Sequence, residues 1–403
     1  FFLTLFFGIN CLNISSAQDE FKFNITEIEI SNDGNLIVGS KGGKAETYNG
    51  HEIIAENFVY NKSKNILNAK GNVKFIDNNI NLTVFSDKAT YLKNDEIIFT
   101  DGNSKAISQN NIITSSNFNL DIANNILVAE KKVKYLDKND GFIILSNKAI
   151  YKKNDETVFA KGDSIALYEN YELTASNFKF NRKENILTAD NKVKFEDEKD
   201  GFTIYSDTAT YFKNDDIIIT KGNSKAVNIN NTITASNFKF NRKENILTAD
   251  NKVKFKDKEK DTIITSDKVT YLKKKEIIFT ESNSTALVEN KYNFSSSSVK
   301  YDKNKKQISS QNSSKIIEDN GNIYETSNFL YEIDKKILKG KNVNIISQVD
   351  KNKKDNYFFS EGFFDFGKNK FAAKETNIKV HKNIFGNEEQ DPRIYGSSSL
   401  GDE

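Results

Sequence analysis

Asparagine followed by phenylalanine recurs at Asn57-Phe58, Asn117-Phe118, Asn177-Phe178 and Asn237-Phe238, sixty residues apart each time. Two copies are identical over a long stretch, Thr174 to Phe195 and Thr234 to Phe255. A fixed internal period means one supersecondary unit stacked repeatedly, each copy burying its apolar face against its neighbours. Such a chain presents a long, uniform surface and not a single pocket.

The period divides further. Related segments begin at Ser86, Ser146, Ser206 and Ser266, and Tyr91, Tyr151, Tyr211 and Tyr271 fall about thirty residues after Tyr60, Leu120, Phe180 and Phe240. Weaker copies continue at Ser298 to Tyr301 and at Asn328 to Tyr331, so the array runs from about Glu20 to His381. In Lys192-Val193-Lys194-Phe195 charged and apolar residues alternate, which puts Val193 and Phe195 on one face of a strand. Asn32 to Asn35, Gly71-Asn72, Asp101-Gly102 and Lys221-Gly222 read as turns. Three strands per thirty residues predicts a strand and a turn about every ten. No sustained helical stripe is present. The single proline, Pro392, lies outside the array, leaving every backbone N–H inside it free for sheet ladders. A calcium roll is disfavoured, because its Gly-Gly-x-Gly-x-Asp pattern is missing.

The 403 residues are enough for several domains, yet the repeat predicts one elongated all-β domain over 18–385. The net charge is +2, with both signs interspersed along the strands, and no basic face concentrates enough charge for nucleic acid. Residues 1–17 read as a truncated secretory signal peptide, apolar through Ile9 and closing on Ser15-Ser16-Ala17. Cleavage there removes Cys11, so stability outside the cytoplasm must come from stacking and not from disulfides. Residues 386–403 are polar, Gly/Ser-rich and marked by Pro392, the signature of a linker into a further, C-terminal domain.

A catalytic reading fails. The two histidines, His51 and His381, sit at opposite ends of the array, and no phosphate loop or zinc spacing appears. Asp95-Glu96, Asp155-Glu156 and Asp215-Asp216 recur in turn-like contexts and not as a glycosidase pair. No catalytic residue, metal or cofactor is expected. What repeats is the apolar set. The candidates are Phe58, Phe118, Phe178, Phe180, Phe238, Phe240, Leu187, Leu247, Val193, Val253, Phe195 and Phe255. They form either a closed core or a continuous apolar groove between splayed sheets. Lipid exposed to water costs roughly 0.8 kcal/mol per CH₂, so a dozen carbons cost about 10 kcal/mol. A uniform groove would remove that cost at every point along its length.

Segments such as Ser86-Asp-Lys-Ala-Thr-Tyr91 and Ala55-Glu-Asn-Phe-Val-Tyr60, the latter followed by Asn65-Ile-Leu-Asn-Ala-Lys-Gly-Asn-Val-Lys-Phe75, resemble the OstA-like periplasmic domains of lipopolysaccharide transport. The resemblance covers nearly the whole array. It implies an open antiparallel β-jellyroll that conducts lipopolysaccharide without catalysis, acyl chains inside and sugars in water. The tail Asp391 to Gly396 is similar to the passage leading towards the barrel of the family's outer-membrane member, the LPS-assembly protein. That member implies an outer-membrane barrel and a plug lipoprotein bound to it. The edge strand carrying Phe23, Ile25, Ile28 and Ile30 would then receive a strand of an LptA-like bridge protein by β-augmentation. The alternatives are a soluble LptA-type periplasmic bridge and a secreted structural β-solenoid or adhesin stalk.

Overall fold

A computed structural model describes residues 21–198, 201–350, 353–382, 384–386, 389–390 and 392–402. The signal-peptide residues and Cys11 lie outside the described residues. The structure comprises two compact units, Phe1–Asn154 and Asp155–Glu403, parted inside the repeat, and each is described by itself.

Each unit is an antiparallel meander. In the second, strands begin at residues 157, 171, 186, 202, 217, 231, 246 and 262, about one every fifteen residues, and each pairs with the next. The expected ten-residue spacing is therefore corrected: one thirty-residue unit is two long strands and not three short ones. Each long strand is bent in its middle. Between the pairs Asp190↔Thr208 and Val193↔Ser206, Asn191 and Lys192 face the single residue Asp207. Both have left-handed backbone, with φ of 63° and 55°. The same consecutive positive φ occurs at Gly71-Asn72, Gly102-Asn103, Gly162-Asp163, Gly222-Asn223 and Asn251-Lys252.

Gly71-Asn72, Asp101-Gly102 and Lys221-Gly222 thus lie at bulges within or between strand halves, not at chain-reversing turns. Turn and bulge call for the same left-handed residues, so composition alone does not separate them. Asn32–Asn35 is a turn as expected, closed by Asn35 N–H donating to the Asn32 carbonyl at 2.9 Å. Several bulges are clipped by an amide: Asn103, Asn223 and Asn283 donate to Asp87, Asp207 and Asp267 at 2.9, 2.9 and 2.8 Å.

The bulge decides where side chains go. In Ile186–Asp197, Leu187 and Ala189 are buried before it and Val193, Phe195 and Asp197 after it, while 190–192 are exposed. Each strand therefore contributes an inward row to two layers joined along the line of bulges. Away from that line the layers meet again: the Tyr171 and Tyr211 rings, from the far ends of their strands, stand 5.5 Å apart. Successive turns are also hydrogen-bonded, with Lys213, Arg242 and Lys273 N–H donating to the Asn185, Asp216 and Asn245 carbonyls at 3.0, 3.1 and 3.0 Å.

The stretch 386–403, expected as a linker, carries the strand Arg393–Asp402, which pairs with Lys370–Lys379. Gly401 in that strand serves packing: a Cβ there would come within 2.6 Å of the Phe371 ring.

The bulge account is testable at Gly222. Its φ of +79° strains any other residue, and an added methyl would strike the Asp207 side chain. Gly222→Ala is expected to lower unfolding free energy by about 1–2 kcal/mol in urea titrations followed by circular dichroism.

Candidate functional site

The inward rows follow directly from strand register. Phe180 faces Leu187, Leu187 faces Tyr211, Tyr211 faces Ile218, Ile218 faces Phe240, and Phe240 faces Leu247. The row continues through Tyr271, Ile278, Tyr301 and Ile308. An aromatic residue on one strand is set beside an aliphatic one on the next, a favourable cross-strand pairing repeated along the stack. In the first unit Tyr60, Leu67, Tyr91 and Ile98 form the matching row.

All twelve apolar candidates lie on these inward faces. Phe58, Phe118, Phe178, Phe180, Phe238, Phe240, Leu187, Leu247, Val193, Val253, Phe195 and Phe255 are each at most 3% exposed. Phe178 and Phe180 share one layer with Leu187, and Phe238 and Phe240 share it with Leu247. Val193, Phe195, Val253 and Phe255 lie past the bulge, in the facing layer. The layers touch: Phe202 and Phe240, from opposite sides of the bulge line, meet with their rings tilted by 56° and 5.5 Å between centroids. The interior of each unit is filled by its own side chains. In the first unit Leu120, Leu127 and Tyr151 line a cavity of only about 10 Å³.

A second set of inward residues is polar and was not singled out by the sequence reading. Asp77, Asp137, Asp197 and Asp257 recur at the end of a strand and are 3%, 2%, 5% and 1% exposed. They sit at the margin where the layers meet. In the second unit Arg242 spans it, donating to Asp216 at 2.8 Å on its own side and to Asp197 at 3.2 Å on the other. Its guanidinium lies 4.1 Å from the Tyr171 ring centroid. Burial works against the Arg242 charge, but the Asp216 hydrogen bond and charge outweigh it and hold its pKa above the usual value. Tyr171 and Tyr211 are hydrogen-bonded through their hydroxyls, and burial pushes both phenols up. One repeat later Tyr301 donates to Asp257 at 2.8 Å, and Lys303 pairs with Glu276 at 2.9 Å. The sixty-residue recurrence of an aromatic residue two before Asp (Phe75, Tyr135, Phe195 and Phe255) was available in the sequence. It was hidden among many turn carboxylates, and its partners lie some forty-five residues away.

Asp95, Asp155 and Asp215 do fall in turns, as expected, and are exposed. His51 is buried with Nε2 3.5 Å from Asp77, whereas His381 lies in the other unit, its Nδ1 2.8 Å from Asp355. Among the described residues no three His, Cys, Asp or Glu side chains converge as metal ligands, and no helix is long and apolar enough to cross a membrane.

The strand Lys22–Ser31 pairs on one side only, with Leu36–Glu46, among the described residues. Phe23 and Ile25 are half-buried, whereas Ile28 and Ile30 are 45% and 62% exposed. Ile30 faces Ile37, which in turn faces buried Tyr60, so this row belongs to the inward set.

Arg242→Ala would leave Asp197 buried beside an empty site. A loss of roughly 3 kcal/mol in unfolding free energy is expected. Arg242→Ala combined with Asp197→Asn should lose less than the single variant, which a double-mutant cycle in urea would read out.

No known protein family and no curated protein matches the sequence. Among solved structures, it is similar to the crystal structure of LptH, the LptA homologous periplasmic component of the conserved lipopolysaccharide transport device from Pseudomonas aeruginosa. That likeness has 14% identity and a TM-score of 0.26, over 28% of this chain and 83% of the other. The fold assignment rests on the strand pairings of this chain itself.

Proposed function

We propose that the chain is a periplasmic conduit for lipopolysaccharide. Acyl chains travel between the two layers while sugars stay in water, and cargo moves towards the outer membrane. The observation that carries this reading is the uninterrupted inward row of alternating aromatic and aliphatic residues from Phe180 to Ile308. Its composition hardly changes from strand to strand, so an acyl chain meets the same surface at each step and no deep trap. The layers are joined only at their bulges and margins, and an entering acyl chain replaces the cross-layer contacts of rings such as Phe202 and Phe240.

The finer assignment is the periplasmic part of the outer-membrane LPS-assembly protein, whose barrel would engage a plug lipoprotein. An LptA-type bridge is equally supported by the fold. In either case the one-sided strand Lys22–Ser31, with Ile28 and Ile30 exposed in line with the inward row, suits an added strand from a bridge protein that extends the interior. A secreted structural stack is the second reading, favoured by the filling of the interior.

Photo-crosslinking residues at Phe118, Phe178 and Phe238, with outward Lys179 as control, separate the two. Lipopolysaccharide is expected to crosslink at the three phenylalanine positions and not at Lys179. No crosslinks at the phenylalanine positions would return the chain to the structural class.

A further inference from the structure

Along each strand the two charge signs look mixed, but strand register sorts them on the outer face. In the first unit, on the layer that holds Val73 and Phe75, Lys74 faces Phe85, Phe85 faces Lys105, Lys105 faces Thr114 and Thr114 faces Lys134. In the second unit Lys194, Tyr205, Lys225, Thr234 and Lys254 face one another in the same order. These side chains point away from the core, because their strand neighbours Phe75, Val84, Ala106, Ile113 and Tyr135 in the first unit are buried.

The aromatic residue and the lysine after it come as a set. One sixty-residue step on from Phe85 and Lys105 stand Leu145 and Ile165, and one step on from Tyr205 and Lys225 stand Thr265 and Thr285. Inward positions such as Val73, Val133, Val193 and Val253 keep the same residue at every step. The outer face therefore follows a period two steps long, which core packing does not require.

The lysines are available to a partner. Lys105, Lys134, Lys225 and Lys254 are exposed, and among the described residues none of the four makes an ion pair or a side-chain hydrogen bond. Tyr205 is 42% exposed. Nearby carboxylates are already engaged: Glu196 by Lys194 at 2.7 Å, and Asp87 and Asp207 by the amides of Asn103 and Asn223. The row beside each cluster, Ile107, Ile112 and Leu136 in one unit and Val227, Thr232 and Lys256 in the other, carries no acid. Against Lys105 lies an outer groove of about 610 Å³ lined by the polar side chains of Asn103, Ser104, Thr114, Ser116 and Lys132. Asp101, which also lines it, pairs with Lys88 at 3.7 Å.

Adjacent strands are about 4.8 Å apart, so the lysines of a cluster stand roughly 10 Å from one another on a line across the strands. Duplex nucleic acid carries one charge per about 1.7 Å, which is far denser. A pyranose ring is close to one strand spacing in length. A linear sugar chain laid across the strands thus brings every second ring to a lysine. Its apolar ring face meets Phe85 or Tyr205, and hydroxyls of the intervening sugars meet Thr114 or Thr234.

We propose that this outer face binds a linear acidic polysaccharide with an anionic group on every second sugar, through Phe85, Lys105, Thr114 and Lys134 in the first unit and Tyr205, Lys225, Thr234 and Lys254 in the second. The site lies outside the interior and is independent of what the interior carries.

Fluorescence anisotropy of end-labelled oligosaccharides mixed with the full chain tests it. Hyaluronan, with a carboxylate on every second sugar, is expected to bind about tenfold more tightly than neutral chitin oligosaccharides of the same length, the scale of two exposed ion pairs. Lys105→Gln/Lys134→Gln/Lys225→Gln/Lys254→Gln should bring hyaluronan down to the chitin level. Lys70→Gln/Lys161→Gln/Lys179→Gln/Lys239→Gln removes as many exposed charges from the other layer and should leave the preference intact. Hyaluronan binding no tighter than chitin, or equal weakening by both variants, would overturn the proposal. Tighter binding of oligothymidylate, or of phosphatidylglycerol vesicles, would overturn the polysaccharide in favour of a nucleic acid or a membrane surface. Circular dichroism of both variants establishes that any lost preference belongs to a folded chain.

Discussion

The two-residue left-handed bulge is the constraint on which the structure depends. A straight strand of alternating residues has one apolar face and can serve one layer. With Asn191-Lys192, Gly222-Asn223 or Asn251-Lys252 inserted at its middle, the strand bends, and its inward residues on both sides of the bend face a common interior. Because bulges recur in neighbouring strands they align, and their alignment lets a simple meander close over itself. Asn223 and Asn283, donating to Asp207 and Asp267, fix the bends locally. Sheet pairing and layer packing are thus specified by the same few residues, and this is why Gly, Asn and Lys recur there.

Two chemistries then divide the interior. Next to the line of bulges it is apolar and repeats without change, which suits an acyl chain and also suits a plain core. At the opposite margin it is polar: buried Asp197 and Asp257, the tyrosine hydroxyls, and the cations Arg242 and Lys303 that reach them. Breaking a buried ion pair is costly, so these contacts resist opening locally.

The alternation of Lys192 to Phe195 and the sixty-residue columns were legible in the sequence, and all twelve apolar candidates lie on inward faces. Period 2 within a strand and a fixed repeat between strands leave little freedom in where such residues point. The strand count was not legible, because Gly-Asn supplies positive φ equally to a turn and to a bulge. The margin was hidden for a different reason. Asp197 looks like any other acid in a turn-rich sequence, and its partner Arg242 is distant along the chain. Only the bend brings them together. At the other end of the array Gly and Ser suggested a linker, whereas Gly401 is small because Phe371 lies against it.

The central claim is that the filled interior parts to admit lipid. Methyl-selective NMR of the intact chain tests it most directly, observing Leu187, Leu247, Val193 and Val253 with and without lipopolysaccharide. The account predicts nuclear Overhauser contacts between acyl-chain protons and all four inward methyl groups, and weaker contacts between the Phe202 and Phe240 rings. Unchanged methyl signals, with no contact to lipid and the ring contacts intact, would contradict it and identify the rows as a permanent core.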